Sequence, residues 1–229
     1  MELEKDAVYC IDKPLDKTSF YVVLQLRNIL SRYFKEKKMK VGHAGTLDPK
    51  ATGLLIICTG KKTKEIDQFM GLPKEYTGEI CLGATRVGYD MEGVVIEEFD
   101  ISGITEAQIH STALQLTGTI LQTPPSHSAV MIDGKRAYEL ARAGKEVNIQ
   151  PREVTIHYFE ITYIRLPYIG FKIGCSKGTY IRSLAHDFGK ILQNGAHLTA
   201  LQRTKIGDYS LEKALNLEEF ITFVRSKMA

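Results

Sequence analysis

The chain reads as an α+β protein with a largely antiparallel sheet, and three observations predict it. Segments of helical period and of strand alternation are mixed along the 229 residues without a regular β-α-β rhythm. Ser, Thr or Asn stands before several helical segments as a cap signal, and glycine closes others. No repeat, low-complexity run or Pro/Gly/Ser linker divides the sequence, so residues 1–229 are expected to form one domain.

The elements follow in order. Thr18 and Ser19 cap a first helix with Val22, Val23, Leu26, Ile29, Leu30 and Tyr33 on its apolar face. A glycine-rich loop comes next, then a short strand at residues 54–58. Residues 61–70 read as helix. Residues 76–82 alternate and read as a strand. Thr105 with Gln108 has the capping-box pattern, and that helix ends before Gly118. Residues 136–143 form a short helix stopped by Gly144. Strands near 154–164 and 169–175 lead into residues 178–184, which open another helix. A last amphipathic helix covers 217–224, with Asn216 and Glu219 as its capping pair.

The composition, 44% hydrophobic and 25% charged, is ordinary for a soluble globular protein. The longest apolar run is too short to cross a bilayer. The first residues carry both signs of charge and lack the apolar core of a signal peptide, so a cytoplasmic protein with no membrane contact is expected. Cys10, Cys58, Cys81 and Cys175 are scattered without paired spacing and read as buried free thiols. The net charge of +3 hides an uneven distribution. Residues 31–64 hold nine Lys/Arg against two acids, while residues 89–107 hold six acids and no base. The basic cluster favours a polyanionic substrate. The tetrad Lys35-Glu36-Lys37-Lys38 by itself fits a solvated helix end equally well.

The most informative stretch runs from Gly42 to Gly53. It sets one carboxylate, Asp48, in a loop stiffened by Pro49 and flanked by glycines that allow close backbone approach to a ligand. An Asp-Pro pair is most often a turn. Here a His, two Thr and three Gly converge on the same acid just before the apolar run Leu54–Ile57. An ionised carboxylate aimed at an electrophilic carbon is a nucleophile.

This stretch resembles the catalytic loop of the TruB family of tRNA pseudouridine synthases, which isomerise the T-loop uridine of tRNA. Residues 175–185 resemble a second family motif and residues 74–79 a third. Asp12-Lys13-Pro14 with Thr18-Ser19-Phe20, the block from Gln122 to Gly144, and residues 195–204 match further segments, so the likeness runs from about residue 10 to residue 210. It implies a pseudouridine synthase fold: a mixed central sheet flanked by helices, with an RNA-binding cleft. It implies Asp48 as the catalytic aspartate, Arg182 as its pairing partner, and Tyr76 as the ring that stacks on the target base and accepts a proton. His43 is expected to fill the space left by the flipped base. Gly45, Thr46 and Lys64 are expected to contact substrate, Lys177 and Tyr180 to support the pocket, and Leu201 to lie beside the base. The isomerisation is redox-neutral and calls for no metal or cofactor. The implied partner is the tRNA T-arm stem-loop, with no obligate protein partner.

The sequence departs from the family pattern in places. Asp16 stands where glycine is usual, Lys50 where an apolar residue is frequent, and Tyr21 where aspartate is common. His127 holds a slot usually given to Tyr or Phe, and Met131 one often given to Lys. Many members end in a small PUA domain, and these 229 residues leave no room for one, so a short form is expected. The rival readings are a guide-RNA-dependent synthase, a non-catalytic tRNA-folding chaperone, and a carboxylate glycosidase. The last lacks a second candidate acid.

Overall fold

The structure is a computed structural model and describes residues 2–132, 134–145 and 147–228. In chain order the first elements are β1 (Val8–Lys13), α1 (Ser19–Tyr33), β2 (Val41–His43), β3 (Ala51–Thr59), α2 (Ile66–Gly71) and β4 (Lys74–Leu82). They are followed by β5 (Ala84–Arg86), β6 (Val95–Glu98), α3 (Glu106–Gln115), β7 (Gly118–Gln122), β8 (Met131–Ile132), β9 (Lys135–Arg136) and α4 (Ala137–Arg142). The chain closes with β10 (Arg152–Arg165), β11 (Tyr168–Cys175), α5 (Ile181–Ile191), β12 (Ala196–Ile206), β13 (Tyr209–Ser210), β14 (Leu215–Asn216) and α6 (Leu217–Ser226). The α+β class holds, and most strand pairs are antiparallel. Among the described residues no helix is long and apolar enough to cross a membrane.

The chain divides into two compact units, Met1–Tyr76 with Leu201–Ala229, and Thr77–Ala200. It passes from one to the other inside β4 and inside β12.

In the first unit β3 is the organising strand. β1 runs antiparallel along one edge, from Val8 opposite Cys58 to Lys13 opposite Gly53. Its other edge takes β12, parallel, at Ala51–Gly53, and β2, antiparallel, at Ile57–Thr59. The unbroken apolar run of β3 has a simple cause, because both faces are covered. Leu55 and Ile57 pack with Tyr9 and Ile11 beneath α1 and α6, where Val22, Leu26, Leu30, Phe220 and Val224 complete the core. Leu54, Ile56 and Cys58 face the opposite way, against Ala44 and Ile206. A strand buried on both faces loses the alternation that marks a half-buried one.

In the second unit β10 and β11 form a long antiparallel hairpin, and β7 pairs with the outer edge of β10. Helix α5 packs by Phe188, whose ring lies 5.6 Å from that of Phe159. β5 and β6 form a separate hairpin.

Local signals were good guides where they existed. Thr18 caps α1 by accepting from the Tyr21 N–H, and Thr105 with Gln108 makes the expected capping box. Three expectations need correction. β3 begins at Ala51, three residues before the apolar run, because its first residues pair with β12. The helix expected at 61–70 is split into a 3-10 turn over Gly60–Glu65 and α2. Asn216 does cap α6, but it accepts from Glu218 N–H, where a pairing with Glu219 was expected.

Candidate active site

The candidate residues fall into two groups, one in each unit. In the first, the segment from His43 to Ala51 joins β2 to β3 and carries Gly45, Thr46 and Asp48. It is fastened from below by three side chains. Ser19, 2% exposed, accepts from Leu47 N–H at 2.8 Å and donates to Leu47 O at 3.1 Å. Lys13 is wholly buried and its ammonium donates to the carbonyls of Pro14, Lys17 and Pro49. Arg203, also buried, donates from Nε to Leu54 O at 2.8 Å and from Nη2 to Gly45 O at 3.1 Å. Two glycines are required here. Gly45 has φ +102°, and Gly53, at φ +100°, lies so close to β12 that an added Cβ would sit 2.4 Å from Arg203 O.

Asp48 is partly exposed at the top of this loop and Leu47 beside it is buried. Two buried cations fasten the loop that carries Asp48, Lys13 at Pro49 and Arg203 at Gly45. Burial pushes the Lys13 ammonium down to about 8, against the opposing pull of Asp48, Asp16 and Asp12. His43 is half-buried and its pKa is lowered, first by burial and then by Arg203, so its ring is neutral at physiological pH. Thr46 is exposed. Leu201 lies opposite Ala51 in the β12–β3 ladder, at the end of the same loop. Tyr76 is 9% exposed in β4. The neighbouring Glu75 accepts from Thr204 Oγ1 at 2.7 Å.

Lys64 lines a hollow of about 570 Å³ with Lys5, Lys38, Lys40, Lys61 and Thr63. Lys5 is answered there by Glu36 at 2.9 Å, and Lys62 turns away to Glu65 at 2.8 Å.

Two of the departures from the family pattern explain each other. Asp16 has φ +60°, the left-handed region that glycine occupies at no cost. Its carboxylate meets the Lys50 ammonium at 2.6 Å, and its N–H donates to Pro49 O at 2.9 Å.

The second group surrounds the start of α5. Gln122, wholly buried, clamps the Tyr180 main chain, accepting from its N–H at 2.7 Å and donating to its carbonyl at 3.1 Å. The Arg152 guanidinium lies 5.1 Å from the Tyr180 ring centroid and also donates to Gly178 O. Lys177 is exposed. Arg182 is 7% exposed, far from the surface arginine its helix position alone would allow. Its Nη2 donates to His127 O at 3.0 Å and its Nη1 to Gly88 O at 3.2 Å, with Asp90 Oδ2 at 3.5 Å. Asp90 was missed in the sequence, where it is one of the acids of the 89–107 run and carries no distinguishing signal. His127 serves Arg182 through its carbonyl, so a change of side chain there costs that contact nothing.

Residues 31–181 match the family model described as TruB family pseudouridylate synthase (N terminal domain). Residues 182–227 match tRNA pseudouridylate synthase B C-terminal domain. The tRNA pseudouridine synthase B of Flavobacterium johnsoniae is 53% identical over 93% of this chain and 93% of its own length. That of Bacteroides fragilis is 46% identical over 98% and 96%. Among solved structures, a Cbf5-Nop10-Gar1 complex contains a chain with TM-score 0.72 and 29% identity, over 96% of this chain and 54% of that one. Fold and sequence together define a pseudouridine synthase, an isomerase acting on RNA. Within that class the chain belongs to the TruB family.

One consequence concerns Lys13. Lys13→Met leaves three carbonyls without their donor, a cost of about 1–3 kcal/mol. For a chain of this size that lowers the melting temperature by roughly 2–12 °C. The Lys13 ammonium titrates near 8 when folded and near 10.5 otherwise. Between those values the unfolded chain binds the proton that the folded chain has released, so the Lys13 contribution to stability grows with pH across that window. Melting curves of wild type and Lys13→Met at pH 8 and pH 10 should therefore diverge further at the higher pH. A constant gap would refute the assigned titration.

Proposed function

We propose that this chain converts uridine 55 in the T-loop of tRNA to pseudouridine, with Asp48 as nucleophile. The observation that carries the reading is the Asp48 loop, whose main chain is held at Pro49 by Lys13, at Leu47 by Ser19 and at Gly45 by Arg203. The tRNA substrate follows from the names of the Flavobacterium and Bacteroides relatives. Their greater identity favours it over a reading as a subunit of a protein complex, which the likeness to the chain of the Cbf5-Nop10-Gar1 complex would carry.

In this mechanism the target nucleotide leaves the stack, as any base undergoing such chemistry must. Tyr76 offers its ring to the flipped base, and neutral His43 fills the space left behind. Gly45, Thr46 and Leu201 line the approach. Arg182 is the pairing partner of Asp48 and orients its carboxylate. Asp48 bonds transiently to the nucleotide, the N1–C1′ bond breaks, and the bond to Asp48 breaks in turn as the C-nucleoside forms, returning the free carboxylate. The base turns and C5 bonds to C1′. The C5 proton leaves, with Tyr76 as acceptor, and N1 gains a proton. Atoms and electrons balance with no redox partner. Lys177 and Tyr180 hold the second motif in shape.

The test is to incubate purified protein with an unmodified tRNA transcript and map pseudouridine. Conversion at position 55 without added RNA or protein supports the reading. Conversion only with a guide RNA, or none at all, overturns it.

Binding should draw on the lysine hollow. Each phosphate contact contributes roughly 0.7–0.9 to the slope of log affinity against log salt. Neutralising Lys38, Lys61 and Lys64 together should flatten that slope by about 2 and leave the single-turnover rate at saturating RNA unchanged. An unmoved slope would mean that these lysines only solubilise the surface. An isolated T-arm stem-loop should bind almost as well as full-length tRNA.

A further inference from the structure

The loop that holds Arg182 is itself held. Gly88 O and Asp90 Oδ2 both reach the Arg182 guanidinium, and the residue between them, Tyr89, turns to the same helix one turn on. Arg182 and His186 stand four apart in α5 and so share a face. The rings of Tyr89 and His186 are stacked, with centroids 4.0 Å apart and planes 8° from parallel. Three successive loop residues thus grip two successive turns of one helix.

The grip has a backbone cost. Gly88 and Tyr89 are both left-handed, at φ +77° and +67°. For glycine this is free, but for tyrosine it is strained. A bulky residue in that region persists only where its surroundings require it. Space does not exclude a smaller residue, and the left-handed backbone favours glycine. The stack is what the tyrosine adds. His186 is half-buried, with Nδ1 enclosed and unpartnered, and burial, helped by Lys190, pushes it down to about 4. The ring is therefore neutral, and the contact is one of offset aromatic faces.

From this geometry we infer that Tyr89 and His186 are positioning residues, whose ring stack sets the Gly88–Asp90 loop on α5 and thereby fixes the Arg182 guanidinium for the isomerisation. The inference rests on the place given to Arg182 in the proposed reaction. Neither ring needs to touch RNA. Small displacements at a reacting centre cost up to about 100-fold in rate, so a loosened fork should be felt in the chemical step.

The decisive variant is Tyr89→Gly. It removes the ring and relieves the left-handed strain, so the fold should keep its melting temperature within a few degrees. A merely structural tyrosine would then be dispensable. We expect instead a single-turnover rate about tenfold lower at saturating tRNA, with affinity within twofold of wild type. His186→Ala should fall similarly, while Tyr89→Phe and His186→Phe should restore most of the rate. In an Asp90→Asn background Tyr89→Gly should cost much less than tenfold, because both act through Arg182. A wild-type rate for Tyr89→Gly, failure of the Phe variants to restore it, or full multiplicativity with Asp90→Asn would each overturn the proposal. Arg182→Lys is assayed alongside. If that variant alone stays fully active, the role of Arg182 has failed. If it is impaired and the stack variants are not, only the positioning inference has failed.

Discussion

Asp48→Asn should leave pseudouridine formation at least about 10⁴-fold below wild type, the scale on which an essential catalytic group is lost. Asparagine is nearly isosteric and keeps the size and hydrogen-bonding reach of the side chain. The main chain of the loop has its own fastenings, since Leu47 is tied to Ser19, Pro49 to Lys13 and Gly45 to Arg203. What disappears is the ionised oxygen able to form a bond to the nucleotide. Affinity for tRNA should therefore stay within a few-fold, read by filter binding, while single-turnover conversion vanishes. Turnover within tenfold of wild type would remove Asp48 from the mechanism. Loss of both binding and turnover, with a lowered melting temperature, would make it a structural residue.

Arg182→Lys should lose about 10²–10³-fold in single-turnover rate although the charge is kept. The guanidinium donates to His127 O and Gly88 O and is ion-paired with the Asp90 carboxylate. A lysine has one nitrogen, on a stem that cannot reproduce a planar fork. One or more of those acceptors would be left buried without a donor, at about 1–3 kcal/mol each. The rate should fall further than stability alone explains, so melting and turnover must be measured together. A variant with most of its activity intact would show that a point charge suffices and that the fork has no catalytic role.

The parts of the fold legible in the sequence are those fixed by near neighbours. The Thr18 cap, the Thr105–Gln108 box and the 154–164 and 169–175 strands depend on residues a few positions apart, and all three are present. β1 and β12 were not legible as strands. β1 ends on two charged residues, Asp12 and a buried Lys13, and β12 is built from polar residues such as Thr199, Gln202 and Arg203. Their strand character comes from partners distant in sequence. β1 lies on β3, and β12 takes its place beside Ala51.

The same division runs through the candidate site. Asp48, Arg182 and Tyr76 were found through motifs. The side chains that fasten them were not, because Lys13 and Arg203 are of types that normally face water. They are buried because main-chain carbonyls converge on them, and that convergence exists only once the strands are assembled. Asp90 stayed hidden for the same reason, since an acid in an acidic run gains meaning only when Arg182 arrives.

The Asp16–Lys50 contact bears on how such a chain diverges from its relatives. Counted column by column, the two positions are separate oddities, and either would weaken a motif match. In the fold they amount to a single exchange. A left-handed residue carries a side chain, and the lysine across the loop is that side chain's partner. Because both groups are more than half exposed, the pair adds little stability. Selection on folding alone would scarcely notice its coming or going. Paired replacements of this kind drift easily, and they make a lineage look more remote from its kin than its chemistry is.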